Sequence, residues 1–206
     1  MNKPTITALI LAGGKGRRMN FQDKGWISYR DKPLIQHAID IAKPQVDNIV
    51  ISYNQNEAAY ASLAYARSTD IEPGFPGPLM GILSCNKLIS AGLVFVLPCD
   101  MPDLPPDIVN RLYSKLGSHG LAVAHDGNRL QPLIFLAKTQ LIDSIEHYME
   151  MGNRSVKGWV ESVDNVVVDF ASQRAAFWNL NEPSQLQDEI LITAPEKKIK
   201  KEKPST

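Results

Sequence analysis

The sequence predicts an α/β fold with a mostly parallel central sheet, and three observations carry that expectation. Residues 5–11 (TITALIL) form a short, apolar run rich in β-branched side chains, as in a strand covered on both faces, and glycines follow at once. Strand-like runs then alternate with helical patterns, which is the order that parallel strands joined by helical crossovers produce. Residues 93–97 (LVFVL) are the most strand-like run in the chain, which puts them in the middle of the sheet.

The elements follow in order. Lys32-Pro33 introduces Leu34, Ile35, Ala38, Ile39 and Ile41, the spacing of an amphipathic helix that begins at a proline. Residues 48–52 read as a strand and 57–66 as a helix, before a loop with Asp70 and the run Pro73-Gly74-Phe75-Pro76-Gly77-Pro78. A helix is expected over 79–90, the central strand over 93–97, and a helix over 105–116 whose first turn accepts Pro105 and Pro106. Residues 120–124 give another strand, 133–136 a run that can pair beside it, 141–151 a helix, 165–169 a strand and 183–190 a closing helix.

A chain of 206 residues suits one domain, since single cores commonly serve about 100–200 residues. We place that domain at 1–192 and a basic, disordered tail at 193–206, because residues 195–206 hold five lysines, two glutamates and no aromatic side chain. The apolar fraction of 44% and charged fraction of 21% exclude a fibre or a disulfide scaffold. The 22 basic and 22 acidic side chains cancel, so no net field draws the chain to nucleic acid or to an anionic membrane, and any bound anion must be held locally. No apolar run approaches the roughly 20 residues of a bilayer span, and the N-terminus has no signal-like apolar region, so the cytoplasm is the expected compartment. Cys85 and Cys99, far apart and with no second pair, read as two buried thiols.

The loop after the first strand, Leu11-Ala12-Gly13-Gly14-Lys15-Gly16-Arg17-Arg18-Met19, carries the first chemical signal. Glycines let backbone N–H groups converge on an anion with no Cβ in the way, and Arg17, Arg18 and Lys24 add charge that offsets a polyphosphate. The loop lacks the closing Gly-Lys-Ser or Gly-Lys-Thr of a Walker loop, and Met19 stands where a dinucleotide fingerprint has its last small residue.

Leu11-Ala12-Gly13-Gly14, then Arg18-Met19, then Asp23-Lys24-Gly25 resembles the signature of the molybdenum cofactor guanylyltransferases, and further matching pieces follow in the same order over nearly the whole chain. The resemblance implies a three-layer Rossmann-like nucleotidyltransferase fold. It also implies transfer of GMP from GTP to the terminal phosphate of Mo-molybdopterin, with release of pyrophosphate. GTP would lie on Leu11, Ala12, Gly13, Gly14, Lys24, Ser52, Asp70 and Asp100. In this sequence Ser52 stands where the family has a nucleotide-contacting asparagine, with Asn54 two residues on, and Asn20 stands where it has a glycine.

The attacking phosphate and the triphosphate are both anionic, so transfer calls for a divalent cation at the α-phosphorus. Leu97-Pro98-Cys99-Asp100-Met101-Pro102 places Asp100 just beyond the central strand, at the edge where open α/β sheets bind ligands. It resembles the family's Cys-Asp-x-Pro, whose aspartate binds Mg2+. Lys24 and Asp100 are therefore the expected catalytic residues, and Asp100 the metal ligand. Asp70 would accept from guanine or from ribose. Asp103, before Leu104-Pro105, reads as a helix cap.

For the second substrate, Pro76-Gly77-Pro78-Leu79-Met80-Gly81 resembles Gly-Pro-Leu-x-Gly, and Asn179-Leu180-Asn181-Glu182-Pro183 resembles Asn-x-Asn-x-Pro. Arg18, Gly77, Gly81, Asn179 and Asn181 would then face molybdopterin, although Asn181 also reads as a helix cap before Pro183. His125 reads as a strand-end residue. Molybdenum-insertion proteins and molybdoenzyme chaperones are the implied transient partners. A cytidylyl or sugar-phosphate nucleotidyltransferase shares the loop, lysine and aspartate, but the second glycine of Leu-Ala-Gly-Gly favours guanylyl transfer. A GTP- and cofactor-binding chaperone module would bind without releasing pyrophosphate.

Overall fold

The computed structural model describes residues 3–13, 23–72 and 77–180. Among them, β1 (Ile6–Leu11), β2 (Ser28–Tyr29), β3 (Lys32–Pro33), α1 (Leu34–Ala42), β4 (Asn48–Ser52), α2 (Glu57–Ala61) and β5 (Ala66–Ser68) make the first half. The second half is α3 (Pro78–Cys85), β6 (Leu93–Pro98), α4 (Ile108–Leu116), β7 (Leu121–His125), β8 (Leu130–Lys138), α5 (Ser144–Glu150), α6 (Val156–Ser162) and β9 (Asn165–Asp169). The loop residues Gly14 and Arg18, together with Asn181, the expected helix at 183–190 and the tail, lie outside the described residues.

Seven strands form one sheet in the order β5-β4-β1-β6-β8-β7-β9. All run the same way except β8, which is antiparallel to both β6 and β7. The mostly parallel sheet and the central place of the LVFVL strand are as the sequence predicts. The exception has a covalent cause: only four residues, 126–129, join β7 to β8, too few for the crossover a parallel neighbour needs.

Alternation along β1 sends side chains into two cores. Ile6, Ala8 and Ile10 join Ile35, Ala38 and Ile39 of α1 and Ile108, Val109 and Leu112 of α4. On the opposite face Leu9 and Leu11 join Leu79, Met80 and Ile82 of α3, Ile145 of α5 and Trp159 and Val160 of α6. Helices thus cover both faces, giving three layers. A two-residue turn at Arg30 and Asp31, both at positive φ (47° and 61°), closes the separate β2–β3 ribbon.

Four local expectations need correction. The helix expected over 57–66 stops at Ala61, because Ala64 turns the chain at φ 56° and Ala66–Ser68 pairs with β4 as a parallel edge strand; sheet pairing outweighs alanine's helix propensity. The helix expected from 105 begins at Ile108, with Pro105 carbonyl accepting the Ile108 amide in the turn before it. The run at 133–136 extends to nine residues, since β8 is paired along both edges. Helix α6 is absent from the sequence-based pattern; its start is set by Ser155, whose side chain accepts the Gly158 amide at 3.1 Å.

Trp159 of α6 is fully buried, lies 5.6 Å from the Phe135 ring and donates its indole N–H to Ser144 Oγ at 3.0 Å. Trp159→Ala therefore opens a cavity and removes the donor to Ser144 Oγ, which keeps its bond to the Leu141 carbonyl, and we expect a loss of about 3–5 kcal/mol, read as a lower urea midpoint with little change in slope.

Candidate active site

Strand β1 has β4 on one side and β6 on the other, and the chain visits β4 and β5 before crossing back to β6, so the strand order switches direction at β1. Ligands of open α/β sheets bind at the carboxyl ends of strands flanking such a switch. Leu11, Ala12 and Gly13 leave β1 there, Ser52 ends β4, Asp70 follows β5, and Asp100 follows β6. The two central exits are tied together: Ala12 N donates to Ser52 O at 2.8 Å, and Cys99 N to Leu11 O at 3.1 Å.

Lys24 comes to this edge from the chain beyond the glycine loop. Its Nζ lies 2.8 Å from Asp100 Oδ2, with the two side chains 24% and 13% exposed, so water screens the pair only in part. Asn179 Nδ2 donates to the other oxygen of Asp100 at 3.3 Å, and Leu180 N to its carbonyl at 2.9 Å. Asn179, taken from sequence as a molybdopterin contact, thus stands beside the carboxylate.

Asp23 holds Lys24 in place, a role the sequence reading missed. It caps the short 3-10 turn Lys24–Trp26 by accepting the Gly25 amide at 3.1 Å, and it accepts from Tyr60 Oη at 2.8 Å and Asn56 Nδ2 at 3.1 Å. A Cβ at Gly25 would collide with the Tyr60 hydroxyl, which is why this turn needs glycine beside its lysine. Burial raises the Asp23 carboxyl above its ordinary value, while the three hydrogen bonds pull it back in part. The signal was present in Asp23-Lys24-Gly25 as an acidic residue in capping position; the partners Asn56 and Tyr60 are remote in sequence.

On the β4–β5 side, Asn54 and Asp70 form a reciprocal pair: Asn54 Nδ2 donates to Asp70 Oδ2 at 2.8 Å and Asp70 N donates to Asn54 Oδ1 at 3.0 Å. Burial raises the Asp70 carboxyl, and the Asn54 bond opposes that shift. Ser52 Oγ lies 2.8 Å, and Asp70 Oδ1 3.6 Å, from where a Cβ on Gly81 would project. Gly81 thus lets α3 approach β4, while Gly77 precedes α3 at φ 105°. Gly81 stands on the Ser52–Asp70 side of the site.

Asp103 is not a helix cap. It accepts from Tyr29 Oη at 3.1 Å and Trp178 Nε1 at 2.9 Å on one oxygen and from Arg30 at 3.0 Å on the other, clipping the β2–β3 ribbon to the segment that carries Asn179. The cysteines are buried and unpaired as expected; burial pushes the Cys85 thiol up to about 12, which removes it from nucleophilic chemistry near neutrality. His125 ends β7 as expected, accepting the Gly127 amide at 3.1 Å.

Residues 8–166 match the family of the MobA-like NTP transferase domain, so the class defined at this sheet edge is that of the nucleotidyltransferases. The chain is 44% identical over 184 residues to the molybdenum cofactor guanylyltransferase of Shewanella woodyi, covering 88% of this chain and 94% of that one. It is 40% identical over 195 residues to that of Shewanella piezotolerans, covering 94% and 96%. The chain belongs to the molybdenum cofactor guanylyltransferases. The molybdopterin-guanine dinucleotide biosynthesis protein A of Archaeoglobus fulgidus has the same fold, with a TM-score of 0.72 at 21% identity over 91% of this chain and all of that one. The 4-diphosphocytidyl-2C-methyl-D-erythritol synthase of Anaerococcus prevotii shares it at a TM-score of 0.69 and 10% identity over 92% of this chain and 96% of that one. Among the described residues no helix is long and apolar enough to cross a membrane.

The raised carboxyl of Asp23 has a thermodynamic signature. Between its unfolded and folded values the native state binds more protons than the unfolded one, so its contribution to stability falls as pH rises through that window. Asp23→Asn removes this term: relative to wild type, the variant's unfolding free energy should decline less from the ordinary carboxylate range upward. Urea unfolding across pH measures it, and parallel curves would show that Asp23 does not titrate there.

Proposed function

We propose that this chain transfers GMP from GTP to the terminal phosphate of Mo-molybdopterin, and that Lys24 and Asp100 make the centre at which the bond is exchanged. The observation that carries this reading is the ion pair itself. A cation and a carboxylate are held 2.8 Å apart at the switch point, with the exits of β1, β4 and β5 on one side of them.

The backbone of Leu11, Ala12, Gly13 and Gly14 would receive the phosphates. Gly13 suits the task because a Cβ there would come within 2.8 Å of the Asn54 amide, so backbone is all that the space admits. Ser52 and Asp70 would face the nucleoside. Asp70, aligned by Asn54, offers its carboxylate to the N–H groups of guanine or the ribose hydroxyls. The place of Gly81 within α3, against Ser52 and Asp70, favours a part for it in this nucleotide wall, while Gly77 keeps the pterin contact taken from resemblance. Arg18 and Asn181 keep that assignment, and Asn179 marks the acceptor's side of Asp100.

An oxygen of the acceptor phosphate forms the new bond to the α-phosphorus while the bond to the bridging oxygen breaks and pyrophosphate leaves. A phosphate monoester is mostly dianionic near neutral pH, so no side chain has to remove a proton. What the protein supplies is alignment and charge: the ammonium of Lys24 offsets charge on the phosphates, and the Asp23 turn keeps that ammonium in register with Asp100.

Enzymes of this class typically use a divalent metal, and the donor set suits Mg2+. Asp100 is a carboxylate at the site, and among the described residues no group of three His, Cys, Asp or Glu could make a protein cage. A hard cation that binds through one or two carboxylates and substrate phosphates needs no more than this. Asp100 would hold it, and the ion would supply Lewis-acid stabilisation of charge on the transferring phosphoryl group. We place the reaction in the cytoplasm, with molybdenum-insertion proteins and molybdoenzyme chaperones as transient partners; the unpaired Cys85 and Cys99 suit a reducing compartment.

Purified protein with Mg2+, molybdopterin and each nucleoside triphosphate in turn should release pyrophosphate with GTP. Release with CTP instead would establish the cytidylyl alternative, and binding with no release would establish the chaperone module. Chelation of the metal should stop turnover and added Mg2+ restore it. Asp100→Ala should lower kcat by roughly 10³-fold, the scale of losing one preorganised electrostatic group, with an unchanged far-UV spectrum. Full activity in that variant would move the metal site elsewhere.

A further inference from the structure

On the β4–β5 side of the edge, the aim of the Asp70 carboxylate is set by other side chains. Ser52 and Ser68 are register partners of β4 and β5, and Tyr53 N continues the ladder by donating to Ser68 O at 3.1 Å. Asn54 and Asp70 stand two residues beyond that pair, where a side chain takes over from the backbone. The Asn54 amide donates through Nδ2 to Asp70 Oδ2 at 2.8 Å, and its Oδ1 accepts the Asp70 backbone N–H at 3.0 Å.

A side-chain amide has one donating and one accepting end, and Asp70 offers it one acceptor and one donor, so the pair closes in a single orientation. Gly13 backs the Asn54 amide so closely that a Cβ there would come within 2.8 Å of Nδ2, which leaves the amide little room to swing away. From the other side, Ser84 Oγ of α3 accepts the Ile71 amide at 2.8 Å and ties down the residue after Asp70. Oδ2 of Asp70 is thus committed to Asn54. Oδ1 lies 3.6 Å from where a Cβ on Gly81 would project. Burial pushes this carboxyl up and the Asn54 bond opposes the shift, so the same contact favours the ionised form, which accepts at both oxygens.

We propose that Asn54 is a positioning residue that sets the preference for guanine, by holding Asp70 so that its carboxylate takes the ring N1–H and 2-amino group of the base rather than the ribose hydroxyls. The inference rests on the reading that GTP lies on the β1–β4–β5 side, and deepens it by saying which part of the nucleotide is read. Asp100 follows β6, the glycine loop follows β1, Ser52 ends β4 and Asp70 follows β5, and these four strands lie in that order across the sheet. A nucleotide with its α-phosphorus at Asp100 and its phosphates on the β1 loop lays its base furthest along that line, at Asp70. Guanine offers two adjacent N–H donors there, which match the two oxygens of a carboxylate. An unheld carboxylate would have to be ordered at the moment of binding, and that cost falls on the base contact while the phosphate contacts stay as they are.

Calorimetric titration with GTP, with inosine triphosphate, which lacks only the 2-amino group, and with 2′-deoxyguanosine triphosphate tests this, in Mg2+ and without acceptor. Wild type should bind GTP about tenfold or more tighter than inosine triphosphate, the scale of one hydrogen bond to a charged group. In Asn54→Ala that preference should collapse toward unity, while the ratio of GTP to the deoxy nucleotide stays as in wild type. Asn54→Asp, which keeps the size but sets a second carboxylate against Asp70, should lose the preference as well. A merely structural role would weaken all three nucleotides alike and leave both ratios intact, and that result overturns the proposal. Loss of the deoxy ratio instead also overturns it, because Asp70 would then read the ribose. These titrations need no turnover, so they decide the role of Asn54 whether or not pyrophosphate is released. Guanylyl transfer with a base preference that Asn54 does not alter overturns this proposal alone, whereas no binding of GTP by wild type overturns it together with the site on which it rests.

Discussion

The contact between Lys24 and Asp100 ties together two parts of the chain that local structure would keep separate. Lys24 belongs to a 3-10 turn beside the β2–β3 ribbon, and Asp100 to the exit of the central strand. A flexible lysine gains little from an exposed carboxylate, because water and chain entropy cancel the attraction. Here both side chains are largely withdrawn from water and both backbones are held, so attraction costs less order than it would at a free surface. Much of the surrounding structure can be understood as the means of that holding.

Two other carboxylates supply it. Asp23 sits under the Lys24 turn and Asp103 beside the segment that presents Asn179, and between them they take six hydrogen bonds from Gly25, Asn56, Tyr60, Tyr29, Arg30 and Trp178. A buried or half-buried carboxylate is expensive unless its oxygens are satisfied, and once satisfied it resists movement of every donor around it. These two carboxylates thereby keep Lys24 and Asp100 in register.

Division of labour along the edge follows from topology. The strands laid down first, β1, β4 and β5, lie on one side of Asp100; those laid down last, β8, β7 and β9, lie on the other. The reversed strand β8 matters to this arrangement, since it makes the tight turn at 126–129 and brings that turn to the edge that carries Asp100 rather than to the far end of the sheet.

The sequence by itself determined the layered α/β class, the boundaries of β4 and β9, the central place of β6, and Lys24, Ser52, Asp70 and Asp100 as residues of one edge. The elements and Asp100 depend on hydrophobic period, on glycine and proline punctuation and on position at a strand exit, which are local properties; Lys24, Ser52 and Asp70 came from the resemblance of short motifs to the family's. Helix α2, expected to reach 66, was cut short by the pairing of Ala66–Ser68 with β4, and Asp103 changed from a cap to a clip because Tyr29 and Trp178 fold onto it from both ends of the chain. Tertiary structure alone decided which donors Asp23 and Asp103 receive and where Asn179 stands. Apart from the Gly25 amide, these contacts join residues tens of positions apart through burial and sheet order, and none has a local periodicity that the chain could display.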